Sequence, residues 1–253
     1  MKITFLGTGT SQGVPMIACE CEVCTSTNPK DKRLRSSVLI ELEDQTMVID
    51  TGPDFRYQML RAGVKKLDAV VFTHEHKDHV AGLDDVRGFN YIMKKSMQIY
   101  ATENVQLALK RDFHYAFGSK TYPGVPQLEL NTISNNPFKV GGEEVIPIHL
   151  KHYKMDVFGY RIRNFAYITD ANFISETEME KLKDLDVLVI NALQKHSHIS
   201  HFTLEEAIEV IHELNPKRAF LTHLSHRMGK YDEVSKELPE NVKLSYDELV
   251  IEL

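Results

Sequence analysis

Six consecutive residues constrain this chain more than any others: His74-Glu75-His76-Lys77-Asp78-His79. His74, His76, Asp78 and His79 are metal-ligand types, and none of them is Cys. Neutral imidazole nitrogens and a carboxylate oxygen suit borderline divalent ions such as Zn²⁺ and Mn²⁺. One loop cannot fold all of these side chains onto a single ion. His74 and His76, two positions apart, can grip one ion between them, and Asp78 and His79 can turn towards a second. The preceding run Leu67-Asp68-Ala69-Val70-Val71-Phe72 is β-branched and apolar, as a buried strand requires, and Val80-Ala81-Gly82-Leu83 reads as the start of a helix. The ligand types therefore fall on a strand-to-helix loop, where backbone is exposed and a rigid sheet sets position.

The rest of the chain reads as strands followed by alternating strands and helices. Lys2–Leu6 is a strand leading into the turn Gly7-Thr8-Gly9-Thr10-Ser11-Gln12-Gly13-Val14-Pro15, which lacks the Gly-Lys-Ser/Thr ending of a phosphate loop. Ser36–Glu41 and Thr46–Asp50 form a hairpin about Glu43-Asp44-Gln45. Helices are expected over Asp54–Ala62, Asp84–Met93 and Asn104–Arg111, with a short strand at Gln98–Ala101. The Gly-, Pro- and Asn-containing stretch from about 112 to 142 should form loops or short strands beside the site. Strands follow at Glu144–Leu150, Gly159–Ile162, Phe165–Ile168, Leu185–Asn191 and Arg218–Leu221. Leu204, Ala207, Ile208 and Ile211 recur at helical spacing behind Thr203, which predicts a capped helix over 203–214. No repeat, low-complexity segment or linker divides the chain, so an α/β architecture with two central sheets covered by helices is expected.

Bulk composition narrows the partners. Apolar residues make up 42% and charged residues 26% of the 253, an ordinary balance for a soluble globular protein. No run approaches the ~20 apolar residues of a membrane span. Met1-Lys2-Ile3-Thr4-Phe5-Leu6 goes directly into a strand without a signal-peptide pattern, so cytoplasmic residence is the expectation. A formal charge of −6 argues against a broad nucleic-acid surface, and the local run Lys30-Asp31-Lys32-Arg33-Leu34-Arg35 reads as a solvated loop.

Thr73-His74-Glu75-His76-Lys77-Asp78-His79 resembles the HxHxDH signature of the metallo-β-lactamase superfamily. That resemblance implies one or two metal ions on a four-layer αββα sandwich, here a single domain over 1–253. It also implies further ligands at later strand ends. His152 would complete one ion's set with His74 and His76; Asp170 would bridge; His223 would join Asp78 and His79 on the second ion. His149, inside a strand, is the rival of His152 and better suited to a core or face position. Asp50 resembles the buried Asp that orients a ligand histidine in this superfamily.

The three cysteines, Cys19, Cys21 and Cys24, lie within six residues. An odd number so closely spaced does not suggest a disulfide framework, whereas CxCxxC matches the thiolate spacing of a structural zinc site in an insert near 15–30. A further ligand could come from His226, His196 or His198, with His226 favoured because it follows His223 by three residues. The CxCxxC insert after Gly-Thr-Gly-x-x-x-Gly-Val-Pro, together with Thr222-His223-Leu224-Ser225-His226, resembles the PhnP type within the superfamily. Members of that type are phosphodiesterases that open a ribosyl cyclic phosphate. Gly82-Leu83-Asp84-Asp85-Val86-Arg87-Gly88-Phe89-Asn90-Tyr91 departs from the PhnP pattern.

The expected cofactors are therefore two divalent ions, Zn²⁺ or Mn²⁺, at the active site and one structural Zn²⁺. Two such ions lower the pKa of a bridging water and hold a phosphate oxygen. The departing alkoxide then needs a proton, and His201, just before a helix, resembles the acid of phosphodiesterase members. His201 and Asp78 are the catalytic candidates; Lys195, His196 and His198 share the polar loop and could contact phosphate instead. The expected partner is a small, cyclic or linear, phosphodiester, with neither membrane nor nucleic acid, and a homodimer is an open assembly. A thioester or lactone hydrolase, or a ligand-binding carrier on the same fold, are the alternatives.

Overall fold

The computed structural model describes residues 1–118 and 124–253. Its first sheet grows from the apolar runs of the N-terminal half: β1 (Lys2–Gly7), β2 (Ser37–Glu41), β3 (Thr46–Ile49), β4 (Ala69–Val71), β5 (Met97–Ala101) and β6 (Leu128–Thr132). These strands lie side by side in sequence order. The early pairs β1·β2 and β2·β3 are antiparallel, and β3·β4, β4·β5 and β5·β6 are parallel.

The second half repeats that plan. β7 (Phe138–Val140), β8 (Glu143–His152), β9 (Met155–Ile162), β10 (Phe165–Tyr167), β11 (Phe173–Ile174), β12 (Val187–Asn191), β13 (Arg218–Thr222) and β14 (Val242–Leu244) build the second sheet. Here too the antiparallel meander β8·β9·β10 turns into parallel pairing at β10·β12, β12·β13 and β13·β14. β15 (Val250–Glu252) returns to the first sheet and pairs antiparallel with β1.

Three apolar clusters set four layers. Ile3, Phe5, Ile40 and Ile49 of the first sheet meet Tyr160, Phe165, Val189 and Phe220 of the second, forming the core between the sheets. Phe55, Met59, Val86, Val105 and Leu109 cover the outer face of the first sheet. Leu204, Ala207, Ile211 and Leu214 cover the second. The last of these helices, Leu204–Leu214, carries the expected cap: Thr203 accepts from the Glu206 amide and the Glu206 side chain accepts from the Thr203 amide. Such a cap contributes about 1 kcal/mol. The chain is thus a four-layer αββα sandwich. Among the described residues no helix is long and apolar enough to cross a membrane.

Several expectations are corrected. β8 runs on to His152, so that residue ends a strand rather than following one. The stretch 112–142 holds short strands as expected, the edge strand β6 and β7, but also a one-turn helix at His114–Phe117 that was not; positions 119–123 of that stretch lie outside the described residues. The half-exposed, polar-interrupted sequence of β6, Leu-Glu-Leu-Asn-Thr, is what an edge strand carries. The basic run 30–35 is not a solvated loop. Arg33 is buried and its Nη1 donates to Thr8 Oγ1 at 2.8 Å and to the Ser245 carbonyl at 2.6 Å. Asp31 is buried too, accepting from Ser26 Oγ at 2.6 Å and from the Tyr231 amide at 2.7 Å. The run therefore anchors the N-terminal loop to the C-terminal segment.

Candidate metal centres

Asp50, His74, Asp170 and His223 lie just beyond the carboxyl ends of β3, β4, β10 and β13, the edge at which open parallel sheets collect ligands. Asp50, Asp170 and His223 all adopt left-handed backbone, with φ of 65°, 53° and 55°. That conformation costs a non-glycine residue energy and turns each side chain sharply off its strand. Gly52 is required by packing instead: a Cβ there would lie 2.2 Å from the Asp78 carbonyl oxygen. Its absence lets the loop after β3 lie directly on the loop that holds His76 to His79.

Asp50 organises the first group from beneath. It is fully buried and accepts from the Thr73 amide at 2.9 Å, from Thr73 Oγ1 at 2.8 Å and from His79 Nδ1 at 2.7 Å. Because Thr73 Oγ1 gives its proton to Asp50, it must accept from His74 Nδ1, 2.9 Å away. The Nδ1 atoms of both His74 and His79 are thereby engaged as donors. His152 Nδ1 is engaged in the same way by the Ser200 carbonyl at 2.8 Å. Hydrogen bonds of this kind fix a histidine's tautomer and leave Nε2 as the ligand atom.

The Nε2 atoms of His74 and His79 are buried and have no hydrogen-bond partner. His79 Nε2 lies 3.1 Å from both Asp78 Oδ2 and Asp170 Oδ2, yet bonds to neither. Groups aimed at a common point between them are placed in this way. Asp78, His79, Asp170 and His223 offer ligand atoms within 4.8 Å of one another. His223 contributes Nδ1, 3.1 Å from Asp170 Oδ2. The rings of His74, His76 and His152 form a second group beside this, with centroids 4.7, 5.9 and 5.2 Å apart in pairs. His76 is the exposed member, and His74 is fully buried. The donor set fits divalent ions: orphaned imidazole nitrogens facing carboxylates in a buried space are costly unless a cation sits among them.

Burial and charge also hold all of these residues but His79 in ligand form. Burial pushes His74 well below the usual imidazole range, takes His223 down to about 4 and lowers His152. At His79 burial acts in the same direction, but Asp170, Asp78 and Asp50 outweigh it and hold the ring well above that range. Burial would raise Asp78 and Asp170; the neighbouring histidines reverse this and keep both carboxyls ionised.

His201 differs from the other histidines. Its Nε2 does have a partner, Asp170 Oδ1 at 3.1 Å. Its Nδ1 faces Ser200 Oγ and His198 Nδ1, both at 3.1 Å. With His152 and Asp170 it closes a third group of potential ligand atoms, an arrangement the sequence did not suggest. His149 takes the face position: it is half-buried, with Nε2 at 2.6 Å from Asp156 Oδ1. His196 and Lys195 are exposed, and Lys195 pairs with Glu237 at 2.5 Å.

Cys19, Cys21, Cys24 and His226 form a separate cluster. His226 Nδ1 lies 3.2 Å from the sulfurs of Cys19 and of Cys21. The Cys24 amide donates to Cys21 Sγ at 3.5 Å and the Met16 amide to Cys24 Sγ at 3.3 Å. The Cys24 amide, with help from His226, lowers the Cys21 thiol to about 6, whereas burial pushes Cys24 up to about 11. Three sulfurs and one imidazole within reach of one point match a closed tetrahedral zinc set.

Three supporting residues escaped sequence reasoning. Thr73 links Asp50 to His74; Thr169 donates to Asp170 Oδ2 at 2.7 Å; Asn191 pins the backbone after Asp170 through the Ala171 amide and carbonyl, both at 2.9 Å. Nothing in their local pattern distinguishes them from ordinary strand-end polar residues.

Known proteins resemble this chain. The profile of the β-lactamase superfamily domain matches residues 45–224. A crystal structure described as a new diphosphatase from the PhnP family is 38% identical, covers 99% of this chain and 96% of its own, and superposes with a TM-score of 0.93. An octanoyltransferase of Porphyromonas gingivalis is 40% identical over 98% of this chain, and the chain spans about half (51%) of that protein's length. A ribonuclease Z of Pyrobaculum neutrophilum is 24% identical over 90% of this chain and 88% of its own.

Proposed function

The chain belongs to the metallo-β-lactamase superfamily and, within it, to the PhnP family, and from that premise we propose that it hydrolyses a P–O bond in a small phosphate carrying two substituents. Membership indicates a hydrolase; metal dependence and the phosphorus substrate are our reading. The observation that carries it is the contrast at one site between two orphaned Nε2 atoms, on His74 and His79, and one Nε2, on His201, that is hydrogen-bonded.

In this reading His74, His76, His152 and Asp170 hold one ion, and Asp78, His79, His223 and Asp170 hold the other. Bound divalent ions would lower the pKa of water and offset charge on the phosphoryl oxygens. Asp170 serves both sets, and its negative charge counters repulsion between two cations. His201 carries the proton for the departing oxygen on Nε2, while Ser200 Oγ and His198 at Nδ1 orient its ring. The oxygen and nitrogen donors suit Zn²⁺ or Mn²⁺, and the cysteine cluster suits a structural Zn²⁺.

The test pairs metal content with hydrolysis of bis(p-nitrophenyl) phosphate and of a matched p-nitrophenyl ester. About three metal ions per chain with diester turnover are expected. His201→Ala should keep the metals and lose about 10²-fold or more of turnover on a diester whose leaving group is an alkoxide, such as a nucleoside 2′,3′-cyclic phosphate. Full retained turnover would refute the proton-donor role. A second reading, thioester hydrolysis, is favoured by the likeness to an octanoyltransferase. It predicts cleavage of the ester alone, with His201 dispensable because a thiolate leaves without a proton.

A further inference from the structure

A cavity of about 250 Å³ adjoins His201, between the turn Thr10–Gly13 and the loop 193–201. We propose that it is the subsite for the departing half of the substrate, and that Arg227 and His198 bind a phosphate carried by that half. The proposal rests on the phosphohydrolase reading and deepens it.

Position comes first. A group that takes a proton from His201 must lie against that ring, so its remaining atoms extend into the space beside it. His201 and His198 both line this cavity. At about 250 Å³ it lies below the usual 300–1,000 Å³ of a drug-sized site, so it takes a fragment such as a phosphate with part of a sugar.

Charge comes second. His198, His201, His226 and Arg227 line the cavity, and among the described residues no Asp or Glu does. This is unusual for a chain with 36 acidic and 30 basic residues. Among the described residues the Arg227 guanidinium makes no hydrogen bond or ion pair; only its backbone amide is engaged, by Ser225 Oγ at 3.2 Å. An unpaired guanidinium beside imidazoles, above the buried polar side chains of Gln194 and Ser225, is complementary to a phosphate. Substrates whose departing half bears a phosphate, diphosphates among them, should therefore outcompete diesters with a neutral leaving group.

The experiment uses the metal-loaded enzyme and two probes, diadenosine diphosphate and bis(p-nitrophenyl) phosphate. In the diphosphate the water oxygen bonds to one phosphorus, and the bridging oxygen leaves with its electron pair on the second phosphate. The readout is the ratio of kcat/KM for the two probes. Arg227→Gln should lower that ratio about 10- to 100-fold, acting mainly through KM for the diphosphate, and Arg227→Lys should recover part of it. An unchanged ratio, or a wild type with no preference for the diphosphate, overturns the subsite. A wild type that cleaves neither probe with metals restored sinks the phosphohydrolase reading itself. Arg227 is exposed, so misfolding is checked simply by comparing melting curves.

Discussion

His223 and His226 lie on one loop after β13, yet they belong to clusters built in different ways. His223 joins residues delivered by rigid strand ends of both sheets, buried and oriented by hydrogen bonds from beneath. His226 joins three cysteines from an irregular N-terminal loop, on the half-exposed rim of the molecule. The first group offers imidazole and carboxylate in two overlapping sets, a geometry that can leave positions for water and substrate. The second offers four ligands and no more, three of them soft sulfurs. Ligand chemistry and support thus separate a candidate site for turnover from a candidate tie between distant parts of the chain.

The largest test of this contrast is Asp170→Ala. It removes the one carboxylate that belongs to both overlapping sets. Losing several kcal/mol of electrostatic stabilisation should cut turnover by about 10³-fold or more and lower metal content at that site. The cysteine zinc should remain. Turnover within tenfold of wild type would show that Asp170 is not the shared ligand.

Asp50→Asn is the gentler probe, since shape is kept. An amide has one acceptor oxygen in place of two and carries no charge. Its nitrogen could not accept the Thr73 amide that Oδ1 accepts now, and the charge beneath His79 would be gone, so metal affinity at the His/Asp group should weaken about 10- to 100-fold. A competitive chelator titration measures this. Equal weakening of zinc at the cysteine cluster would mean that Asp50 acts on the whole fold rather than on one site.

Cys21→Ser reverses the expected pattern. One zinc per chain should be lost and Tm should fall by roughly 5–10 °C, because the loop loses its tie to the segment after β13. The remaining diester turnover should stay within a few-fold, as none of the His/Asp ligands is touched. Zinc content and Tm both unchanged would leave the thiols without a structural role.

Sequence pattern disclosed the site better than its supports, and the physical reason is local density. His74 to His79 packs four potential ligand residues into one loop, and CxCxxC packs three into another, so each announces itself. His152, Asp170 and His223 became legible only as strand-end residues in the right order behind that loop. Thr73 and Asn191 were not legible, because what they do depends on partners 23 and 20 residues away in sequence. The fold behaved similarly. Buried parallel strands such as β4 and β12 read directly from continuous apolar runs, whereas the edge strand β6 and the short β14 and β15 carry mixed sequences that only pairing defines. Arg33 was misjudged for a related reason: its run is charged, and burial came from Thr8 and the distant Ser245 carbonyl.

The smallest expected effect is a proton count, and it distinguishes the clusters at the level of single atoms. Without metal, Asp170, Asp78 and Asp50 overcome burial and keep His79 protonated well above the usual imidazole range. A raised folded-state pKa of this kind stabilises the metal-free chain fully below the ordinary imidazole range, and that contribution is lost as pH rises through the raised value. Near pH 7 the proton is therefore still present, and an ion binding at Nε2 must expel it. Mn²⁺ prefers oxygen and nitrogen to thiolate, so titrating with Mn²⁺ a protein that carries zinc at the cysteine cluster alone addresses the His/Asp group. Calorimetry in buffers of different ionisation heat should report about one proton released per chain. At the cysteine cluster Cys21 is already largely thiolate at that pH, whereas Cys24, pushed up to about 11, must give up a proton to Zn²⁺. No proton released on Mn²⁺ binding would mean that His79 is neutral beforehand, and that the three carboxylates around it do not outweigh its burial.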